Sequence, residues 1–109
     1  MAQGSVKAQE LGKIPSSQLT TSYQSINLDP GFTESCFMIR IYNGGSTDVT
    51  ISFDGHTDQE YLKAGADLIL QTQTNSQPAA RLALWSKGTY VSVKGTAGTG
   101  NIYLSAYYV

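Results

Sequence analysis

Apolar and polar residues alternate with a period of two along most of this chain, most cleanly in two places. From Asn101 onward, Ile102, Leu104, Ala106 and Tyr108 take turns with Tyr103, Ser105, Tyr107 and Val109. In the middle, Val49, Ile51 and Phe53 take turns with Thr50, Ser52 and Asp54. A period of two sends successive side chains to opposite sides of an extended backbone, as in a half-buried antiparallel strand.

The same rule predicts further strands. Leu19 to Ile26 reads as one, with Leu19, Thr21, Tyr23 and Ser25 on one side. Ser35 to Tyr42 reads as another, with Phe37, Ile39 and Ile41 on one face. Its second face, Cys36, Met38, Arg40 and Tyr42, is also fairly apolar, which suits a strand covered on both sides. Short strands follow at Gln59–Leu62, at Asp67–Thr72 with Leu68 and Leu70 in phase and Ile69 opposite, at Ala80–Trp85 with Leu82 and Leu84 in phase, and at Tyr90–Lys94 with Val91 and Val93 inward.

Turn chemistry separates the strands. Asn27 to Gly31 contains Asp-Pro-Gly, Asn43-Gly44-Gly45 supplies positive-φ positions, Asp54-Gly55 ends a strand, and Gly95 to Gly100 is a wide glycine turn. Thr72 to Pro78 is a polar loop. Roughly eight short strands at near-regular spacing predict a single antiparallel β-sandwich, jelly-roll-like, in an all-β chain. Residues 1–17 are small, polar and aperiodic, with Val6, Leu11 and Ile14 as isolated apolar points and Pro15 blocking a helix. They read as an extended N-terminal arm, lying on its own sandwich or on a neighbour, followed by a sandwich domain over residues 18–109.

Composition narrows the function. Charged residues make up 14% of the 109 residues, with 7 tyrosines and 11 glycines. A soluble domain carries about a quarter charged residues, and protein interfaces are depleted in charge and enriched in aromatics. Net charge is −1 and the seven Lys and Arg are scattered, so nucleic acid, which needs a concentrated basic footprint, is not an expected partner. No apolar run reaches membrane-span length and the opening residues lack a leader-like apolar segment, so neither a membrane nor a secretory signal is expected. A single cysteine, Cys36, permits no internal disulfide.

Chemistry-bearing residues are sparse. Asp54, His56, Asp58 and Glu60 form the one dense polar cluster. They miss the spacing of a calcium loop and read more simply as a solvated hairpin turn. Cys36 and His56 are the only residues of their kinds; Cys36 falls in a strand and His56 in a turn, so a nucleophilic pair is not expected. The Gly95–Gly100 run lacks the Lys-Ser/Thr ending of a phosphate loop and precedes a strand. Trp85 with the tyrosines suits either carbohydrate stacking or packing against core and sheet face. No enzyme, metal or cofactor is expected.

Four runs carry a resemblance: Ile51-Ser52-Phe53-Asp54-Gly55 with Asp58; Gly88-Thr89 with Val91 and Val93-Lys94-Gly95; Gly98-Thr99-Gly100-Asn101-Ile102-Tyr103-Leu104-Ser105; and Leu11-Gly12-Lys13-Ile14-Pro15 followed by Leu19-Thr20-Thr21-Ser22-Tyr23-Gln24. Together they span most of the chain, which resembles the small β-sandwich structural proteins of tailed-bacteriophage virions, of the capsid decoration or staple kind. The resemblance implies a non-enzymatic module, made in the bacterial host cytoplasm, that sits on the capsid exterior. Its implied partners are the major capsid protein and further copies of itself, as a homo-oligomer such as a dimer. Its implied job is to bridge and stabilise neighbouring shell subunits. The contact residues expected on that basis are Val6, Leu11 and Ile14 in the arm and the outward aromatics Tyr103 and Tyr107. A neck or tail position is the alternative within the same class, and a glycan-binding module the alternative outside it.

Overall fold

A computed structural model describes residues 6–27, 31–71 and 85–108. Among them are nine strands: β1 (Lys7–Ala8), β2 (Gly12–Pro15), β3 (Gln24–Ser25), β4 (Met38–Asn43), β5 (Val49–Ser52), β6 (Glu60–Leu62), β7 (Asp67–Gln71), β8 (Ser92–Gly95) and β9 (Asn101–Tyr108). One 3₁₀ turn, Ser16–Gln18, joins β2 to the β3 region.

The pairing is nested. Strand β2 pairs with β9, β3 with β8, β4 with β7 and β5 with β6, all antiparallel. This is a long hairpin, and rolling it up adds the pairs β4·β9 and β5·β8. Two sheets result: a front sheet in the order β1/β2–β9–β4–β7 and a back sheet in the order β3–β8–β5–β6. That winding is a jelly roll, so the expected all-β sandwich is the fold. Alternation alone leaves strand order open, because it is silent on which strand returns beside which.

The core lies between the sheets. From the front sheet come Ile39 and Ile41, opposite Ala106 and Leu104 in register; from the back sheet come Val49 and Ile51, the latter opposite Val93. Ile39, Ile41, Ile51, Val93 and Ile102 are fully buried. Since the side-chain period is two, a one-residue slip of any of these strands would turn its apolar row outward.

The end carrying the β2–β3, β4–β5 and β8–β9 connections is closely packed. Asn43, expected in a turn, is instead the buried last residue of β4. Its Nδ2 donates to the carbonyls of Thr47 (2.9 Å) and Leu62 (3.2 Å), and its Oδ1 accepts from the Gly45 amide. Gly100 has φ 84°, and a Cβ there would collide with the Gly44 carbonyl, so only glycine fits.

Three further expectations need correction. The strand expected from Leu19 to Ile26 is reduced to Gln24–Ser25, because Thr20 Oγ1 accepts from the Ser22 amide and donates to its carbonyl, making a hydroxyl turn. The strand expected from Ser35 begins at Met38; upstream, Cys36 makes only an isolated bridge to Trp85. Ser52 is on the outer side as expected, yet buried, since its Oγ is bound within the Asp54-Gly55 turn. Of the two places expected for the arm, its described part takes the first, its own sandwich. Gly12–Pro15 is a full edge strand on β9, Ile14 lies opposite Ile102 with 6% of its surface exposed, and Ser16 is buried. The arm covers the edge that β9 would otherwise offer to another chain. The loop and strand expected over Thr72–Leu84 lie outside the described residues, apart from Trp85.

Candidate functional site

The outer side of the front sheet carries the candidate surface. Alternation on β9 turns Tyr103, Ser105 and Tyr107 outward, and alternation on β4 does the same for Met38, Arg40 and Tyr42. Register then sets Tyr42 beside both Tyr103 and Asp67, Arg40 beside Ser105 and Ile69, and Met38 beside Tyr107. The rings of Tyr42 and Tyr103 lie 6.2 Å apart at an interplanar angle of 14°, an offset stack. The Arg40 guanidinium sits 5.5 Å from the Tyr42 ring centre and donates from Nε (3.0 Å) and Nη2 (2.7 Å) to Asp67 Oδ2. Ile69, on the edge strand β7 beside Arg40, leaves 56% of its surface in solvent. The result is a pre-ordered surface of aromatic and aliphatic groups beside an ion pair, the side-chain types that carry energy at protein contacts.

The expected contact residues therefore divide. Tyr103 and Tyr107 are on this surface, half-buried between strands. Ile14 is on the opposite side of the same sheet and belongs to the core, so it is unavailable to a partner. Val6 and Leu11 are exposed, at 64% and 54%, but lie on the arm beside the edge of that surface. The exposure of Leu11 has a local cause. Strand β1 pairs Ala8 with Tyr107, whereas β2 pairs Gly12 with Leu104, so Gln9, Glu10 and Leu11 face only Ser105 and Ala106. The extra residue makes a bulge that pushes Leu11 out. Beneath the bulge lies a groove of about 490 Å³ floored by Leu104, Ala106 and Ile26. The Gln9 side chain spans it, donating to the Glu34 carbonyl and accepting from the Thr33 amide at 3.0 Å each. Tyr42, Arg40, Asp67 and Ile69 complete the surface and were not among the expected contacts; the apolar second face of the β4 run is the signal that points to the first two.

The acidic cluster is a turn. Asp54 Oδ1 accepts the amides of His56 and Thr57 and the Ser52 hydroxyl, each at 2.8 Å. The two amide bonds, then the hydroxyl, hold its carboxyl far below the usual carboxylate range. Asp58 reaches back over the back sheet to the Tyr23 hydroxyl and to Lys94 Nζ (3.0 Å). Those contacts hold Asp58 below the ordinary carboxylate range, the Tyr23 hydroxyl contributing most. Tyr23 is pushed up to about 12, first by loss of solvent and then by Asp58. No group of three metal-ligating side chains occurs among the described residues.

Cys36 is fully buried and its thiol is pushed up to about 11 by burial, while His56 is exposed on the β5–β6 loop. The Trp85 ring lies 4.9 Å from the Phe53 ring, tilted by 34°, and packs half-buried against the core. The Gly95–Gly100 turn leads into β9 and is bound by the β4–β5 loop, with Ser46 Oγ accepting the Thr99 amide at 2.9 Å.

The fold and its described surface define an all-β jelly-roll sandwich with an open aromatic face on its front sheet. No protein-family model and no curated protein matches the chain. Among solved structures it is similar to a protein from Bacillus endospore appendages, described as a novel family of disulfide-linked pili. The TM-score is 0.52 at 15% identity, covering 99% of this chain and 91% of that one. At that identity the likeness concerns the fold alone.

Proposed function

We propose that this chain is a non-enzymatic building block of a protein assembly: a jelly-roll module that sits on the exterior of a tailed-phage capsid and bridges neighbouring major capsid subunits. The observation that carries the reading is the open front-sheet face, where Tyr42, Tyr103, Tyr107 and Ile69 surround the Arg40–Asp67 pair. A face of this make-up gives each copy a modest contact. Repetition over a symmetric shell turns modest contacts into firm attachment. The phage resemblance of the β-motifs supplies the location.

A second reading is favoured by the fold likeness to the endospore appendage protein: a subunit of an extracellular fibre. A polymer linked throughout by disulfides needs two thiols per subunit, one toward each neighbour. This chain has one cysteine, Cys36, and it is buried. A fibre of this chain would therefore be held by non-covalent contacts.

Quantitative mass spectrometry of purified particles, with copy number taken against the major shell protein, tests both readings. A ratio within a few-fold of the shell protein supports the capsid role. A count near a dozen moves the chain to the neck or tail, and absence from particles together with filaments formed by the pure protein supports the fibre.

A further inference from the structure

We infer that the outer face of the front sheet is a self-complementary docking surface whose occupant is the same face of a second copy. This deepens the proposed function by naming one contact of the assembly, and it rests on the reading of the chain as an assembly module.

Charge complementarity argues for a second copy. Arg40 and Asp67 stand side by side on neighbouring strands, each with 43% of its side-chain surface exposed. A two-fold axis lying in the contact plane between them exchanges their positions, so each guanidinium meets the other copy's carboxylate. Such a contact is isologous and closes at two copies. The apolar groups come with the same operation: Ile69, Met38 and the tyrosines of one copy meet those of the other. Arg40 is already held by Asp67 and the Tyr42 ring, and Tyr42 by Tyr103. Little side-chain freedom remains to be lost on docking.

The size of the face sets the strength. The front-sheet strands present on the order of 400 Å² per copy from standard strand spacings, at the low end of specific interfaces. The expected dimer is weak in isolation, with a dissociation constant of about 10–100 µM. The outer side of the back sheet is built differently. Ser25, Ser92 and Ser52 are small, Tyr61 is exposed, and the Lys94–Asp58 pair, with Lys94 over the Tyr23 ring, serves to tie the β5–β6 loop across that side.

Sedimentation equilibrium on the intact chain, from about 1 µM to about 1 mM, tests the inference with Arg40→Glu and Asp67→Lys as the two variants. Thermal melts establish that each is folded. Each variant alone is expected to self-associate at least tenfold more weakly, because its face then carries like charges. An equimolar mixture is expected to regain association near the wild-type level, because the two altered faces complement each other. Tyr61→Ser, on the back sheet with Tyr61 58% exposed, is expected to change nothing. A wild-type chain that stays monomeric throughout the range overturns the inference. So do a dimer that ignores both charge reversals and a dimer broken by Tyr61→Ser. If the chain stays monomeric but the charge reversals remove it from particles, the face docks a shell subunit; the inference then fails while the assembly reading stands. If the dimer forms as described but the chain is absent from particles, the capsid location fails and the contact stands.

Discussion

The two outer faces of the sandwich are built on the same alternation and end up opposite in character. On the front sheet, the outward residues of β4 and β9 are large apart from Ser105: Met38, Arg40, Tyr42, Tyr103 and Tyr107. They shield one another across strands and leave a broad face open. On the back sheet, most of the corresponding positions are small, Ser25, Ser92, Ser52 and Thr50; of the larger ones, Lys94 is drawn to Asp58 and Tyr61 stands exposed. There the β5–β6 loop does the covering: Asp54 caps it, Asp58 ties it down, and Ser52 and Ser92 become buried although they point outward. A sheet face can be shielded by its own side chains or by a loop. Only the first leaves a rigid surface free to meet another protein.

The largest expected effect tests whether the difference stops at the surface. Ile41 under the front sheet and Ile51 under the back sheet are both fully buried in one core. Ile41→Ala and Ile51→Ala should each cost about 2–5 kcal/mol, from lost transfer energy plus the cavity left behind. Urea denaturation would measure both. Costs differing by more than about 2 kcal/mol would mean that one sheet is the better packed, and that the contrast between the faces extends into the core.

The second effect is a dependence on pH carried by three carboxylates of the back side. Asp54, Asp58 and Asp48 all have carboxyls held below the ordinary range, Asp48 chiefly by the Tyr61 hydroxyl and then the Ala64 amide. A depressed folded pKa means that the unfolded chain takes up protons first. The stability these groups contribute is therefore complete above the unfolded carboxylate pKa of about 4 and is lost as pH falls below it. Asp54→Asn should lower stability at neutral pH and flatten the acid limb of a stability-against-pH curve. An acid limb unchanged in Asp54→Asn would show that the loop is held by other means than its carboxylate cap.

Much of this contrast is legible in the sequence, and the reasons differ by element. The alternation in Asn101–Tyr108 and Met38–Asn43 is read directly, because each strand's inward and outward sets follow from a period of two. The apolar outer side of β4 and the outward placement of Tyr103 and Tyr107 come with it. The loop over the back sheet is not legible. Its ties join Asp58 to Tyr23, 35 residues away, and to a lysine contributed by another strand, and nothing local announces them. Ile14 looks like an isolated point on an arm because its partners, Ile102 and the interior of the sandwich, lie at the far end of the chain. The bulge at Gln9–Leu11 is invisible for a related reason: it arises from two pairing registers on one partner strand, which the arm's own residues do not specify.

The smallest expected effect measures how strongly each face is knit to itself. Tyr42 and Tyr103 are cross-strand neighbours with stacked rings, and such pairs are coupled by about 0.5–1.5 kcal/mol beyond their area. On the back sheet, the Ser25 and Ser92 hydroxyls are 3.4 Å apart, at the outer limit of a hydrogen bond. Double-mutant cycles to alanine, read by denaturation, isolate each coupling from the cost of the single truncations. The tyrosine cycle should give about 0.5–1 kcal/mol and the serine cycle less than about half of that. A serine coupling as large as the tyrosine one would mean that the back face is held together by its own side chains after all. The loop above it would then be an addition to that face, with no shielding role to explain.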